Sequence, residues 1–450
     1  MRQAKNFCSG PIARRDFLRI GWSGFAGLGL AELMRQRATA AAAAGERTAL
    51  IVVWLHGGAT HLETYDPKPH APAEFRGPFH PIQTKVPGLQ ICELLPRHAA
   101  LADRFNVLRS MVHTGFCHQQ GVQQLFTGHP VRELKNKPDH PDCFTIANRV
   151  RFDARRALPS YVGVPPTPYI GSAYLGPAYE PFVVSGDPNS PTFEVPNIGI
   201  RSAERVRRMQ ERLDLLARID TLRREVDVRG NMQAMDTFQE QAWNLLTASA
   251  ARRAFDVSLE DPRIRDRYGR HRWGQQCLMA RRLVEAGVDL VTTSFFGVEN
   301  GVIGSWDDHA VNADCFEAMK QRAPYFDQAV TALVEDIYQR GLDQRVMVVV
   351  TGEFGRTPRI NPANGRPGRD HWPHAFSMLF AGGGMTTGQV IGASDSRGEQ
   401  VVERRVGVQD FLATIYRHLN VPTAGLQFTN FDGRPIPVPA DGRPVAELCS

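Results

Sequence analysis

Four short segments of the sequence concentrate histidine and carboxylate side chains, the groups that most often bind metal ions and transfer protons. These segments are His56–Asp66, His113–His118, Trp306–His309 and Thr351–His374. Imidazole and carboxylate together are typical ligands of transition metals. The sequence therefore predicts a bound divalent cation, with zinc, manganese, iron and calcium all left open.

Spacing within the clusters indicates which side chains could share one ion. Asp307 and His309 are two positions apart, so on an extended segment both side chains point the same way. Asp370, His371 and His374 fall within five residues, where a loop can bring two ligands together. The candidate metal ligands are His56, Asp307, His309, Glu353, Asp370, His371 and His374.

Each cluster also has a purely structural interpretation. His56 could cap the glycine turn that follows it, and His118 could cap a helix. Glu63 lies in a turn just before a proline-containing segment, where acidic residues often only shape the turn. Glu353 and Arg356 could form an ordinary ion pair. These alternatives stay open at the level of the sequence.

Apolar runs rich in β-branched residues predict the elements that position the clusters. The predicted strands are Ala49–Leu55, Val288–Phe295, Arg345–Thr351 and Phe376–Ala381, with helices between them that include one opening at Pro324. Strands that alternate with helices predict an α/β fold with a mostly parallel central sheet and helices on both faces. Most of the polar clusters then lie past the carboxyl ends of strands, where such sheets bind ligands.

Composition and charge exclude several classes of protein. Hydrophobic residues make up 42% and charged residues 22% of the 450-residue chain, as in globular proteins and unlike disordered chains, collagen-like fibres or coiled-coil rods. The formal charge is +6, but residues 1–44 hold seven basic and two acidic residues. The remainder is therefore nearly neutral, which argues against a nucleic-acid partner.

The N-terminus has the pattern of an export signal. Residues 14–18 read Arg-Arg-Asp-Phe-Leu, a glycine-rich apolar stretch follows, and Ala40–Ala44 offer small residues for cleavage. This pattern resembles a twin-arginine (Tat) signal, although an ordinary amphipathic first helix is the alternative. The apolar stretch is too short to span a bilayer core of about 30 Å, so no membrane span is predicted. We expect a signal peptide over 1–44 and one domain over 45–450, with an irregular excursion at 157–198 and a helical insertion at 202–254.

Six motifs together resemble one bacterial family, known as domain of unknown function 1501. The motifs are Gly57–Pro69, Leu125–Gly128, Trp306–His309, Gly352–Pro358, Gly368–Pro373 and Ala381–Gly384. The resemblance covers nearly the whole chain after residue 48. Members of this family often carry a Tat leader, which agrees with the pattern at the N-terminus.

The family is placed with the alkaline phosphatase and sulfatase superfamily, and the resemblance implies that fold with a hydrolytic site of one or two metal ions. It places His118 where the superfamily has its nucleophile and Glu353 where it has a metal-binding aspartate. His371 or His374 resembles the late metal-binding histidine. Because no serine or threonine holds the nucleophile position, the resemblance implies either a rebuilt metal site or a fold that has lost catalysis.

These observations predict an exported, metal-dependent hydrolase of phosphate or sulfate esters on an alkaline-phosphatase-like fold, located in the periplasm or secreted. His118 would be the nucleophile or general base, Arg356 would stabilise an anionic transition state, and Glu63 is the third catalytic candidate. The expected partner is an anionic ester, with glycan-derived esters as one class. The alternative is a non-catalytic periplasmic binding or scaffold protein that retains the fold.

Overall fold

The computed structural model describes residues 47–153, 156–196, 198, 249–439 and 441–449, with scattered positions between 204 and 245. Thr48–Ser450 form one compact unit. The predicted leader, 1–44, and most of the predicted helical insertion, 202–254, lie outside the described residues. Within the part that is described, no helix is both long and apolar enough to cross a membrane.

An eight-stranded sheet forms the centre of this unit. Its strands are β1 (Ala49–Leu55), β2 (Phe105–Met111), β3 (Tyr161–Val164), β4 (Phe182–Val183), β5 (Leu290–Phe295), β6 (Val346–Thr351), β7 (Phe376–Gly382) and β8 (Val390–Ile391). Their order across the sheet is β8-β2-β7-β6-β1-β5-β3-β4. Only β7 runs antiparallel to its neighbours β6 and β2, and the other pairs are parallel.

Helices and small two-stranded ribbons surround the sheet. Among the described residues, the α-helices are α1 (Ala73–Arg76), α2 (Pro96–Ala100), α3 (His118–Thr127), α4 (Cys143–Arg151), α5 (Ser249–Phe255), α6 (Pro262–Tyr268), α7 (Arg272–Glu285), α8 (Cys315–Gln339) and α9 (Val408–His418). The ribbons pair 81–83 with 90–92, 298–299 with 302–303, 355–356 with 371–372, 393–394 with 401–403, and 427–429 with 435–437.

Alternate residues of β1 point into two separate hydrophobic cores, because successive side chains of a strand face opposite sides of its sheet. Ile51 and Val53 pack in the core that includes α7 and α8. Val52 and Trp54 pack in the core that includes α3, α4 and α9. Helices therefore cover both faces, and the α/β class with a mostly parallel central sheet is confirmed.

The strongest apolar runs were good guides to strands but not to every boundary. All four predicted strands are present, each within two residues of its expected ends. The helix expected to open at Pro324 instead begins at Cys315, so Pro324 lies inside α8. The carboxylate of Asp314 accepts hydrogen bonds from the amides of Phe316 (2.9 Å) and Glu317 (3.1 Å), which starts the helix earlier.

Residues 157–198, expected to be an irregular excursion, supply two strands to the sheet. β3 pairs with β5 through Val162 and Val291, and β4 extends the sheet beyond β3. Both strands are short, and Pro165 follows β3 directly, so the apolar run there was too brief to indicate a strand. The sheet is consequently wider than the sequence predicted.

A network of buried charges joins α6, α7 and α8. Asp336 accepts hydrogen bonds from the hydroxyl of Tyr268 (3.0 Å), from Arg267 (3.0 Å) and from Nε of Arg340 (2.9 Å), and it pairs with Nε of Arg281 at 2.8 Å. The side chains of Arg281 and Asp336 are 1% and 2% exposed. Buried charges are costly unless every partner is present, so this network stabilises the helix packing only while it is complete.

His271 caps the N-terminus of α7, and its burial predicts a pH dependence of stability. Its Nδ1 accepts a hydrogen bond from the amide of Gly274 (3.2 Å), and burial lowers the pKa of His271 from 6.5 to about 4. The stability contributed by the neutral ring is present above pH 6.5 and is lost as the pH falls toward 4. We expect His271→Asn, which keeps a capping side chain, to reduce this loss in free energy of unfolding by roughly 1 kcal/mol or more.

Urea unfolding at a series of pH values between 7 and 4 measures the effect. The whole profile of unfolding free energy against pH is compared between the variants. His70 is exposed and supplies the control, because His70→Asn should leave the profile unchanged. A profile that His271→Asn leaves unaltered would mean that the ring gains its proton without unfolding the cap.

Candidate functional site

Parallel strand pairing brings three of the four polar clusters to one edge of the sheet. Trp54 of β1 lies opposite Thr351 of β6, so His56 and Glu353, which follow these strands, meet at the same edge. β5 runs parallel to β1 on its other side, and the segment after β5 leads to Asp307. This edge is where the candidate site lies.

Asp307 is the centre of the site. Its Oδ1 lies 3.0 Å from Nε2 of His309 and 3.2 Å from Nε2 of His371, and its Oδ2 lies 3.2 Å from Nε2 of His118. One ligand atom from each of His118, Asp307 and His371 lies within 4.8 Å of the others. Nε2 of His309 lies 3.1 Å from Nε2 of His371, so His309 borders this group of three.

The other ring nitrogen of each of these histidines binds an acceptor. The acceptors of the three Nδ1 atoms are Oε1 of Glu353 for His118 (2.6 Å), Oδ1 of Asp370 for His309 (2.5 Å) and the carbonyl of Phe116 for His371 (2.8 Å). These hydrogen bonds assign a proton to each Nδ1 and leave each Nε2 directed at Asp307. Histidines that bind metal ions commonly have their second nitrogen fixed in this way.

Electrostatics favour positive charge among these rings. Burial lowers the pKa of His118, but its hydrogen bonds to Asp307 and Glu353 outweigh burial and raise the pKa to about 9. The hydrogen bond to Asp307 likewise raises the pKa of His309. Burial alone would raise the pKa of Asp307, yet hydrogen bonds from the three imidazoles and the charge of Arg356 hold it far below its usual range. The cluster thus requires cationic charge, which protons or a metal ion can supply.

The donor set fits a divalent transition metal. Three imidazole nitrogens and one carboxylate match the ligands that zinc, manganese and iron accept. The four side chains keep between 18% and 30% of their surface exposed, so a ligand from solvent can reach them.

Glu353 and Asp370, both predicted to bind metal, are placed behind the converging histidines. Oε1 of Glu353 accepts hydrogen bonds from the backbone amide of Gly57 (3.0 Å) and from Nδ1 of His118, and the side chain of Glu353 is fully buried. Oδ2 of Asp370 accepts a hydrogen bond from the side-chain Nδ2 of Asn361 (2.6 Å). Burial would raise the pKa of Asp370, but its hydrogen bonds from His309 and Asn361 lower it. Both carboxylates orient imidazoles in this structure.

Arg356 is buried, and its donors are engaged within the protein. Its Nε donates to the carbonyl of Gly58 (3.1 Å), and its terminal nitrogens donate to the carbonyls of Gly57 and Arg369 and to Oδ1 of Asp307 (2.7 Å). The guanidinium therefore fixes the central carboxylate to the turn after β1. Four of its five N–H groups are thus engaged, and the remaining contact of Nη1 is Nε2 of His309 at 3.5 Å.

Two other predicted residues lie apart from the centre. Glu63 is buried, accepts from the hydroxyl of Thr60 (2.5 Å) and forms an ion pair with Arg369 (2.7 Å). The ring of His374 packs edge-on against Phe116, with 5.4 Å between ring centroids. Neither side chain belongs to the group around Asp307.

His56 lies beside the centre without joining it. Its ring stacks on His118, with 6.1 Å between centroids, and meets Phe296 edge-on at 4.7 Å. Burial lowers the pKa of His56, although the nearby Glu353 opposes this effect. Throughout the described residues, no hydrogen bond reaches its ring nitrogens.

Sequence reasoning missed two groups that orient the histidines. One is the backbone carbonyl of Phe116, which no side-chain pattern could reveal. The other is Asn361, which lies in a loop nine residues before Asp370. The nearest available signal was its position between the motifs at 352–358 and 368–373, but loop spacing carries no periodicity that predicts a contact.

Gly57 is required for the close approach of Asp307 to β1. Its φ is +97°, and a Cβ at this position would lie 2.5 Å from the Asp307 amide nitrogen. We expect Gly57→Ala to lower the free energy of unfolding by more than the roughly 1–2 kcal/mol that left-handed backbone costs other residues. The matched control is Gly88→Ala, because Gly88 has φ +83° and no atom within 4 Å of such a Cβ. Chemical denaturation of both variants measures the difference, and equal losses would contradict the steric contact.

Several solved structures are similar to this chain over most of its length. A sulfatase from Pseudoalteromonas sp. is 13% identical, with a TM-score of 0.37 over 91% of this chain and 72% of that chain. A phosphonate monoester hydrolase from Silicibacter pomeroyi is 12% identical, with a TM-score of 0.37 over 89% and 76%. A protein in the alkaline phosphatase superfamily from Vibrio parahaemolyticus is 13% identical, with a TM-score of 0.32 over 89% and 69%.

No curated protein matches the sequence. The family described as "Protein of unknown function (DUF1501)" matches residues 47–449. This match spans nearly all of the chain after the predicted leader and includes all six motifs noted in the sequence. The chain therefore belongs to the DUF1501 family.

Proposed function

We propose that this protein is a metal-dependent hydrolase of phosphate or sulfate esters, with one divalent cation held by His118, Asp307, His309 and His371. The observation that carries the proposal is the convergence of three imidazole Nε2 atoms on one carboxylate, at 3.0 to 3.2 Å. Lone pairs directed at one another repel unless protons or a metal ion lie between them, and three imidazoles with one carboxylate are a donor set that a divalent metal ion accepts. Histidines retained only for packing have no need of this arrangement.

The chain's own residues would prepare this site for catalysis. A bound cation would act as a Lewis acid on an ester oxygen and make water a better nucleophile. Glu353 and Asp370 hold two of the imidazoles in one tautomer and one orientation, and Arg356 holds the central carboxylate. His56, with its ring nitrogens unengaged beside the site, can carry a proton to a departing alcohol.

The donor set narrows the choice of metal and changes the role of one residue. An imidazole-rich site favours zinc, manganese or iron over calcium, which prefers six to eight oxygen ligands. His118 acts here as a ligand instead of a nucleophile, because Glu353 engages its Nδ1 and its Nε2 faces Asp307.

The proposal extends to the substrate and its location. The substrate is an anionic ester, and glycan-derived phosphate or sulfate esters are one class to test. Export through the predicted Tat signal would place the enzyme in the periplasm or outside the cell. Tat pathways carry folded proteins, so the metal would be acquired before export.

Elemental analysis of the protein, purified without chelator, tests the metal site, and a panel of phosphate and sulfate esters tests hydrolysis. We expect about one transition-metal ion per chain and turnover that a chelator abolishes and added zinc or manganese restores. A folded protein that contains no metal, cannot be loaded and hydrolyses no ester would instead support a non-catalytic binding or scaffold protein.

A further inference from the structure

The ring of Phe354 packs against two of the proposed metal ligands. Its centroid lies 4.4 Å from the centroid of the His371 ring, with 32° between the two ring planes. It lies 5.6 Å from the centroid of the His118 ring, with 38° between the planes. Phe354 is 1% exposed, so this ring belongs to the protein interior. One buried aromatic side chain therefore contacts two imidazoles that come from distant parts of the chain.

These contacts restrain a motion that the hydrogen bonds of the two imidazoles leave free. Nδ1 of His371 donates to the carbonyl of Phe116 (2.8 Å), and Nδ1 of His118 donates to Glu353 (2.6 Å). A hydrogen bond at Nδ1 fixes that nitrogen, but the ring can still turn about the line of the bond. Packing against a flat aromatic side chain limits this turn. Phe354 supplies such a surface to both rings.

Two glycines leave the space that the Phe354 ring occupies. A Cβ at Gly58, in the turn after β1, would lie 2.7 Å from Cδ2 of Phe354. A Cβ at Gly121 would lie 2.9 Å from Cδ1 of Phe354 and 3.2 Å from Cβ of Glu353. Gly121 lies inside α3, where glycine is less favourable than alanine. The glycine at this helical position is explained by the space that the ring needs.

The Phe354 ring also suits the charge of its surroundings. The face of an aromatic ring attracts cations within roughly 6 Å of its centroid. Cζ of Arg356 lies 5.7 Å from the centroid of Phe354. Imidazoles that carry a second proton or a metal ion are cationic as well. Because phenylalanine has no atom that binds a metal ion, any effect of Phe354 on the ion must act through its neighbours.

We propose that Phe354 is a positioning residue of the metal centre, which fixes the ring planes of His118 and His371 and so the directions of their Nε2 atoms. This inference rests on the proposed function and extends it to a side chain that is not itself a ligand. The affinity for the ion and the arrangement of its ligands then depend on the shape of a buried apolar residue.

Phe354→Leu keeps a large apolar side chain and removes the flat ring. We expect the affinity for zinc to fall by roughly 10- to 100-fold, the loss typical of groups that orient metal ligands. Competition with a chromophoric chelator measures this affinity. The visible absorption spectrum of the protein loaded with Co²⁺ should also change, because it reports the arrangement of the ligands. Neither measurement depends on turnover.

Phe105→Leu is the matched control for the loss of a buried ring. Phe105 is also 1% exposed and packs against a histidine, His98, with 6.0 Å between the ring centroids. His98 pairs with Asp327 and is not a proposed ligand. Phe105→Leu should leave the zinc affinity and the Co²⁺ spectrum unchanged, while thermal unfolding of the metal-free proteins compares the stability of the two variants.

Gly121→Ala tests the same contact without changing Phe354. The alanine favours the helix but displaces the ring, so we expect a loss of zinc affinity of about 10-fold in a protein that still folds. In the Phe354→Leu background this loss should be smaller, because a leucine side chain can turn away from the added methyl group. Two fully additive losses would mean that the alanine acts through Glu353, and they would contradict the inference.

The outcomes separate this inference from the proposed function. A protein that takes up neither zinc nor Co²⁺ would overturn both. Metal binding that Phe354→Leu leaves unchanged in affinity and spectrum would overturn the positioning role alone, as would an equal loss in Phe105→Leu. If Phe354→Leu does not fold, Gly121→Ala decides, since an unchanged affinity and spectrum in that variant would overturn the inference.

Discussion

Replacing His371 by alanine should lower the affinity for the bound metal by more than roughly 100-fold and leave the fold intact. The change removes one of four converging donors, and loss of even an outer hydrogen-bond partner typically costs about 10–100-fold. The side chain keeps 18% of its surface exposed and belongs to neither hydrophobic core, so its removal creates no cavity in either core. Competition with a chromophoric chelator measures the affinity, and thermal unfolding checks the fold.

His374→Ala is the matched control, because this histidine is three residues away and packs on Phe116 without facing Asp307. Its metal affinity should equal that of the unmodified protein. Asp370→Asn should give an intermediate loss of about 10–100-fold, since it only orients His309. Equal affinities in His371→Ala and His374→Ala would contradict the assigned ligand set.

The second large effect is on stability and concerns the buried charge network of α6, α7 and α8. Asp336→Asn should lower the free energy of unfolding by about 3–5 kcal/mol, because it leaves the buried Arg281 without its full counter-charge. Four side chains share this carboxylate, so no single rearrangement can satisfy them all. The midpoint of urea unfolding and its slope give the change in free energy.

Glu285→Gln tests whether burial is the cause. Glu285 also pairs with Arg281, at 2.5 Å, but its side chain is 39% exposed. Solvent screens this pair, so the expected loss is below about 1 kcal/mol. Similar losses in the two variants would show that the Asp336 network is weaker than its burial implies.

The central strands of the fold could be predicted because they are buried on both faces. β1, β6 and most of β7 consist of buried residues, and their sequences are predominantly apolar runs. β5 is equally buried but includes Thr292, Thr293 and Ser294. β3 and β4 lie toward the edge of the sheet and are too short to produce such runs. The direction of β7 could not be predicted, because an apolar run does not specify which way its strand is paired.

The residues of the candidate site could be predicted better than their roles. Strand ends identified the region of Asp307, and the density of imidazole and carboxylate identified His309 and His371. Two adjacent residues have different roles. Asp370 accepts a hydrogen bond from Nδ1 of His309, whereas His371 faces the carboxylate of Asp307. Which of two neighbours faces inward depends on the ribbon that pairs 355–356 with 371–372, and sequence spacing does not specify that pairing.

The role of Arg356 could not be predicted from the sequence either. A buried arginine near carboxylates can serve a substrate or the backbone, and the residue type is the same in both cases. Here three backbone carbonyls and Asp307 occupy its donors. Those carbonyls belong to glycine turns and to a loop, so only the folded backbone could reveal these contacts of the guanidinium.

The four converging side chains come from parts of the chain that are far apart, and this has a consequence for biosynthesis. His118 lies near the start of the domain, whereas His371 follows only after the long helix α8 and strand β6 have been made. A growing chain therefore cannot form the complete ligand set until most of the protein has left the ribosome. Insertion of the proposed metal ion would accordingly be a late maturation step, and a chain truncated before His371 would lack one of the four proposed ligands.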